Sequence, residues 1–540
     1  MTANMLASAT LVDEWIRCGV RHAVIAPGSR STPLAVALAS RDELHLEVVH
    51  DERVAAFMAL GIGLSGIPAI LLCTSGTAAV NFHPAIVEAG LSDIPMIVCT
   101  ADRPPELRGV GAPQTIDQIE LYGRAVRWFT DAPVPDATVP EQAAVWRPLA
   151  QRAFASAAAG PVHVNLPFRE PLLDSTKQID LPTPIAPPLP IPRGWASSGP
   201  LDAEYDRQRG IIIAGGRSGV APGDVLALAD RLGWPILADP CSGLRSQAVT
   251  AFESLLRHAE FARAHAPEIV VRIGRPPASK TLSQWIVSSG APVLQVGGPG
   301  VVDPDRNVVK YCAMGDLATL NGAPATPWLA RWRHANTQAE RVFDELAADQ
   351  LTEPAVARVV SAAVPAGGCL VVSSSMPVRD VEWFGGAPAD AHANRGANGI
   401  DGVLSTAVGI ALATGQPAVV LIGDVAFLHD SNALVGLVQR GVDVRIVVVD
   451  NGGGGIFSFL PQASALRPDR FEQLFGTPHH SDVCAVAAAH GVRSVNVSSL
   501  PALSHELSIA GSSVTRVSTD RAENVIEHQR WHAAVAAALG

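Results

Sequence analysis

One phrase recurs along this chain: a short aliphatic, β-branched run, a small-residue turn, then a longer amphipathic stretch. Residues 23–26, 46–49, 68–73 and 95–100 fit its first part, with helical patterns at 33–39, 54–65 and 78–91 between them. Such runs are too short for helices and lack the alternation of a half-exposed strand, so they read as strands buried on both faces. The phrase returns with strands at 210–214, 269–273 and 292–296. It returns again with strands at 370–374, 418–422 and 445–449 and helices at 405–413 and 431–440. Strands alternating with helices specify parallel sheets, and 540 residues exceed what one core supports at roughly 150–200 residues per domain. The expected fold class is α/β, with three doubly wound parallel-sheet domains.

Two interruptions divide the phrase. The stretch 175–200 carries Pro182, Pro184, Pro187, Pro188, Pro190, Pro192 and Pro200; each fixes φ and removes a donor, so the segment reads as an extended linker. A weaker break falls at 321–327. The expected domains are therefore 1–180, 201–326 and 327–540, with 181–200 as the linker.

The formal net charge of −11 argues against nucleic-acid and membrane-surface partners, which need a basic field. Seven scattered cysteines without a C-x-x-C pair suggest neither a disulfide framework nor a zinc site. No basic segment followed by an apolar stretch opens the chain, and no apolar run approaches the roughly 20 residues that span a bilayer. A cytoplasmic location is expected.

In open parallel sheets, ligands gather at the carboxyl ends of strands. The strand at 418–422 runs into Gly423-Asp424, and the strand at 445–449 into Asp450-Asn451 and the glycines 452–455. Asp424 and Asn451 stand 27 residues apart, about one β-α-β unit, so both side chains should emerge at the same end of adjacent strands. A carboxylate, an amide oxygen and a loop carbonyl, that of Gly453, are hard donors suited to Mg²⁺. The helix after Asp424 offers N–H groups to a diphosphate. Each piece alone is equally a cap or a turn; the spacing joins them. Arg30, Arg103, Arg379 and Arg395 also lie at or just after strand ends, and four guanidinium forks in an acidic protein suggest a substrate bearing several carboxylates.

Gly423-Asp424 followed by Asp450-Asn451-Gly452-Gly453 resembles the signature of thiamine-diphosphate enzymes, with Val425 where a glycine is usual and Asp450 where a first asparagine is usual. Longer phrases are more specific: 26–33 (APGSRSTP), 100–107 (TADRPPEL), 111–114 (GAPQ), 375–379 (SMPVR), 394–402 (NRGANGIDG) and 455–458 (GIFS). Together they resemble the MenD family, the 2-succinyl-5-enolpyruvyl-6-hydroxy-3-cyclohexene-1-carboxylate synthases of menaquinone biosynthesis. The resemblance implies an enzyme that decarboxylates 2-oxoglutarate on thiamine diphosphate, with Mg²⁺, and adds the four-carbon unit to isochorismate in a 1,4 sense. It implies that Glu52, in His50-Asp51-Glu52-Arg53 after the strand at 46–49, is the catalytic acid on the cofactor's pyrimidine. Ile400, Gly423, Asp424, Val425, Ala426, Asn451 and Ile456 would contact the cofactor. Ser29, Arg30, Arg103, Gln114, Lys280, Ser375, Arg379, Arg395, Phe457 and Leu460 would contact substrate. Because such glutamates reach a neighbouring subunit's cofactor, a homodimer or homotetramer with active sites at subunit interfaces is expected. The competing readings are a keto-acid decarboxylase, an FAD-carrying acetolactate-type synthase, and a non-catalytic descendant of the fold acting as a binding or regulatory module, against which intact Glu52, Asp424 and Asn451 argue. The glycine-rich turn 214–219 reads as packing, His479-His480 as a solvated loop pair, and Trp383-Phe384 as packing near a loop.

Overall fold

The computed structural model describes residues 2–540 apart from 137, 139–143, 174–180, 182–196, 198, 323–325, 349 and 389. Most of the expected linker at 181–200 and part of the break at 321–327 thus lie outside the described residues. Two compact units emerge: Met1–Arg193 with Arg395–Ala397 and Leu404–Gly415, and Gly194–Asn394 with Asn398–Val403 and Gln416–Gly540.

The first unit is built on β1 (His22–Ile25), β2 (His45–Val48), β3 (Ala69–Cys73), β4 (Met96–Asp102), β5 (Phe129–Asp131) and β6 (Pro161–Pro167), in the order β2-β1-β3-β4-β6-β5. Every pairing is parallel. The central strands β3, β4 and β6 are buried at every position, which is why they read as unbroken apolar runs. Trp15, Leu34, Leu38, Ile70, Ile97 and Trp146 share one core beside this sheet, and the Trp15 indole donates to Ala150 O at 3.1 Å. The helix expected over 78–91 is two helices, Thr77–Asn81 and His83–Ser92: Pro84 lacks the N–H that would continue the ladder.

The helix Val403–Thr414 belongs to this unit from Leu404 onward, although it stands far along the chain. It crosses the helix Glu52–Gly63 backbone to backbone. A Cβ on Gly409 would lie 2.1 Å from Met58 O, and one on Gly61 would lie 2.2 Å from Thr406 O. Glu88, only 3% exposed, accepts from Gly396 N at 2.7 Å and Ala397 N at 2.6 Å, so residues 395–397 are pinned to the same body.

The second unit holds two parallel sheets. The central one comprises β7 (Gly210–Ala214), β8 (Ile236–Ala238), β9 (Ile269–Ile273), β10 (Val293–Val296) and β11 (Val308–Cys312), ordered β11-β10-β9-β7-β8. The other comprises β12 (Cys369–Val372), β13 (Ala391–His392), β14 (Ala418–Gly423), β15 (Val444–Asp450), β16 (Arg493–Val497) and β17 (Ser513–Ser518), ordered β13-β12-β14-β15-β17-β16. Trp328, Trp332 and Phe343 of the helix Pro327–Ala347 share a core with Ile211 and Leu237 of the central sheet and with Trp531 and Phe384. Buried Arg245 joins the two sheets' loops, donating to Ala238 O at 2.9 Å and to Val381 O and Glu382 O at 2.8 Å.

The turn 214–219 is packing, as expected: a Cβ on Gly215 would sit 1.6 Å from Arg275 O. The helix expected over 431–440 is absent. The helix is Asp424–His429, followed by a single 3₁₀ turn, Ser431–Leu434. Val435 is extended, and Gly436 (φ +72°) and Gly441 (φ +66°) are left-handed, a conformation that interrupts a helix. All seven cysteines are free thiols, and among the described residues no helix is long and apolar enough to cross a membrane.

Candidate active site

In the second unit, β14 and β15 pair in register through Gly423 and Val449, which brings Asp424 and the Asp450-Asn451 step to the same sheet edge. Asp424 is 2% exposed. Its Oδ1 accepts from Val425 N at 2.7 Å and its Oδ2 from Gly453 N at 2.8 Å. Gly453 has φ +147°, and a Cβ there would lie 2.0 Å from Gly476 O, so the loop meets Asp424 only because no side chain intervenes.

Asp424, Asp450 and His479 each present a ligand atom within 4.8 Å of the others. His479 Nε2 lies 3.1 Å from Asp424 Oδ2. This corrects the reading of His479-His480 as a solvated pair: His480 is exposed, but His479 turns in against the carboxylate. Burial pushes the Asp424 carboxyl above the usual carboxylate range and Asp450's charge adds to the shift, while the Val425 and Gly453 N–H groups and His479 oppose it. A cation placed here would relieve that strain.

Asn451 faces two ways. Its Nδ2 donates to Glu353 Oε1 at 3.1 Å, while its Oδ1 is buried with no hydrogen-bond partner. Glu353, at the start of the helix Glu353–Ala362, also accepts from Thr519 Oγ1 at 2.8 Å. Burial, and then the charge of Asp380, pushes Glu353 up to about 7 against the hydrogen bond from Asn451. Asp380 Oδ1 meets His528 Nε2 at 2.6 Å. Burial lowers His528, but the charge and hydrogen bond of Asp380, the Asn524 carbonyl and the charge of Glu353 together outweigh it and the imidazole is raised.

Gly423 ends β14, and Val425 and Ala426 continue into the helix Asp424–His429. Ile456 and Phe457 sit in the 3₁₀ turn Gly455–Phe459, with the Phe457 ring 5.4 Å from that of Phe475. Ile400 and Leu460 are large apolar side chains left 39% and 40% exposed, surface that a ligand could cover. Ser375 precedes the helix Met376–Trp383, and Arg379 Nη1 donates to Ser374 O at 3.2 Å and Ser375 O at 2.7 Å. Lys280 is exposed in the first turn of the helix Lys280–Ser289.

In the first unit, Glu52 opens its helix directly after the N-cap Asp51, whose Oδ1 accepts from Arg53 N at 2.9 Å. Burial and then the Glu52 charge push the thiol of Cys73 up, which locates Glu52 near the carboxyl end of β3. Arg30 is 6% exposed and donates to Phe168 O at 3.0 Å and Glu170 Oε1 at 3.2 Å, yet its Nε is buried without a partner. Burial and then the charge of Arg103 lower the Arg30 guanidinium, so these two cations are neighbours. Arg103 Nη2 donates to Pro113 O at 3.1 Å. Ser29 is exposed, and Gln114, at φ +57°, donates to Ser75 O at 3.1 Å. Arg395 is half-buried in the same unit.

A buried polar network supports the end of β4. His163 Nε2 meets Thr100 Oγ1 at 2.7 Å, Thr100 donates to Asn165 Oδ1 at 2.8 Å, and Asn165 Nδ2 donates to Asp102 Oδ2 at 3.0 Å. Asp102 Oδ1 in turn accepts from Arg103 N at 2.7 Å. The sequence pattern missed this network, Glu353 and Thr519, because their partners are remote in the chain. Asp450 shares the strand end that the β-α-β spacing brings to Asp424, but His479 was visible only as a residue type, with no local signal joining it to Asp424.

Three family models match in order: "Thiamine pyrophosphate enzyme, N-terminal TPP binding domain" over residues 5–121, "Middle domain of thiamine pyrophosphate" over 200–372, and "Thiamine pyrophosphate enzyme, C-terminal TPP binding domain" over 379–514. Similar curated proteins span essentially the whole chain. The 2-succinyl-5-enolpyruvyl-6-hydroxy-3-cyclohexene-1-carboxylate synthase of Myxococcus xanthus is 42% identical, covering 99% of this chain and 98% of that protein. Proteins of the same description from Chloroflexus aurantiacus, 40% identical over 97% of each chain, and Thermobifida fusca, 41% identical over 100% of each, are similar to it as well.

Proposed function

The chain belongs to the thiamine-diphosphate-dependent 2-succinyl-5-enolpyruvyl-6-hydroxy-3-cyclohexene-1-carboxylate synthases of menaquinone biosynthesis, and on that premise we propose the roles of its residues. Asp424, Asn451 and the carbonyl of Gly453 hold Mg²⁺ and, through it, the diphosphate. The donor set suits that ion: hard oxygens that leave positions for phosphate and water. The observation that carries this assignment is Asn451 Oδ1, a buried amide oxygen without a hydrogen bond at the sheet edge where paired β14 and β15 bring buried Asp424. Such an atom is costly unless something binds it.

Bound there, thiamine diphosphate supplies the electron sink on which an α-keto acid loses CO₂. Gly423, Val425, Ala426, Ile400 and Ile456 shape its seat, the exposed Ile400 gaining an apolar face to cover. Glu52 holds a proton at the pyrimidine ring. It does so on the cofactor of a partner chain, so the working form is a homodimer or homotetramer.

Isochorismate and 2-oxoglutarate each carry two carboxylates. Arg30, Arg103, Arg379, Arg395 and Lys280 orient them, with Ser29, Gln114 and Ser375 as hydrogen-bonding groups and Phe457 and Leu460 as apolar walls. Arg30 has the most to gain: an idle buried Nε and a like charge beside it are both answered by one carboxylate. The test measures CO₂ release from 2-oxoglutarate with Mg²⁺ and thiamine diphosphate, with and without isochorismate. Consumption of isochorismate in step with CO₂ is expected. CO₂ release that leaves isochorismate untouched would instead indicate a keto-acid decarboxylase, and FAD in the purified protein an acetolactate-type synthase.

A further inference from the structure

An amide can turn either end towards a cation, and only its oxygen ligates. Nothing in the Asn451 side chain itself selects the oxygen; a partner on the other side must take the NH₂. Glu353 Oε1 is that partner at 3.1 Å, reached across 98 residues of sequence. Thr519 Oγ1 donates to the same oxygen at 2.8 Å, fixing the acceptor in place. Glu353 is 3% exposed, and a carboxyl group buried so completely is expensive unless its hydrogen bonds serve an arrangement. We infer that Glu353 is a positioning residue for the metal: by accepting from Asn451 Nδ2 it turns Asn451 Oδ1 towards the ion, with Thr519 holding the carboxylate in register. The inference rests on the assignment of Asp424 and Asn451 as metal ligands. Such outer partners of ligating side chains commonly govern about 10- to 100-fold in metal affinity.

The test titrates Mg²⁺ into full-length protein with excess thiamine diphosphate, read by calorimetry, with a thermal melt of each variant to show that it folds. Glu353→Leu removes the acceptor while keeping the volume. Alanine would open Asn451 to the pocket of about 370 Å³ that Glu353 lines and let water replace the acceptor. Glu353→Leu should bind Mg²⁺ about 10- to 100-fold more weakly. Glu353→Gln keeps an acceptor oxygen and should stay within about threefold of the parent. If Glu353→Leu does not melt cooperatively, Glu353→Met, unbranched and adaptable, takes its place with the same expected loss. Parent-like affinity in the leucine or methionine variant would overturn the inference, and so would a glutamine variant as weak as leucine, which would make charge rather than orientation the cause. Asp424→Ala separates the two layers: it should abolish Mg²⁺ binding, and if it does not, the metal assignment fails and Glu353's role with it.

Discussion

His163 should make the first unit sensitive to acid in a way that one substitution removes. Its ring lies 4.7 Å from that of Tyr122 and 5.1 Å from that of Phe129. Its Nε2 meets Thr100, whose single hydroxyl proton goes to Asn165, so the imidazole donates there. Burial lowers its pKa from 6.5 to about 3. The unfolded chain takes up a proton near 6.5 and the folded chain does not until about 3. The stability this group contributes is therefore complete above about pH 6.5 and drains away as pH falls towards 3. At ~1.4 kcal/mol per unit, the loss is about 2 kcal/mol by pH 5 and roughly 5 kcal/mol by pH 3, a large part of a typical 5–15 kcal/mol total. Hydrogen exchange read on peptides covering β6, corrected for intrinsic rates, should show protection falling about 30-fold more between pH 7.5 and 5 in the parent than in His163→Leu. Parallel declines in the two proteins would refute the assignment of a neutral buried imidazole. Since the same network holds Asp102 and Arg103, activity should fade reversibly over the same acid range.

Glu52→Gln should bind thiamine diphosphate within a few-fold of the parent yet lose at least about 100-fold in turnover, measured as CO₂ release; near-parental turnover removes Glu52 from catalysis. Arg30→Lys loses the fork and should lower kcat/KM about 10- to 100-fold, the scale of one or two charged hydrogen bonds, measured on protein that a thermal melt shows to be folded. Gly409→Ala would ordinarily gain about 1 kcal/mol of helix propensity, but its Cβ would strike Met58 O at 2.1 Å; a loss of about 1–3 kcal/mol in thermal or urea unfolding is expected, and a gain would show that the crossing yields. The Asp380–His528 pair has the opposite pH sign to His163. With His528 raised, its contribution is complete below the ordinary histidine value of about 6.5 and is lost as pH rises through the folded value; Asp380→Asn should shrink that decline in urea unfolding between pH 6 and 9, leaving the share below about 7 that burial of Glu353 contributes.

Residues whose neighbours are set by the strand-helix rhythm were legible in the sequence. Asp424 and Asn451 could be joined because a β-α-β unit fixes their separation, and β3, β4 and β15 because burial on both faces leaves an unbroken apolar run. The helix expected over 431–440 failed because apolar spacing outweighed Gly436 and Gly441, whose left-handed backbone decides the matter. His479 failed for another reason: its approach to Asp424 depends on how a loop returns over the glycines 452–455, which no local period records. His163 and Asn165 do carry a trace in the sequence, since two polar residues at alternate positions of a buried strand share one face and imply a network.

The helix Val403–Thr414 carries a consequence for how this protein can be taken apart. The sequence suggests a modular chain that could be cut at its proline-rich segment, but the first unit borrows residues 404–415 and 395–397 from far downstream. A fragment ending near residue 180 would lack the partner for Gly61 and leave Glu88 with no amides to bind. Independent expression of that half should yield an unsatisfied, aggregation-prone species. Synthesis must pass residue 415 before the body that carries Glu52 can close.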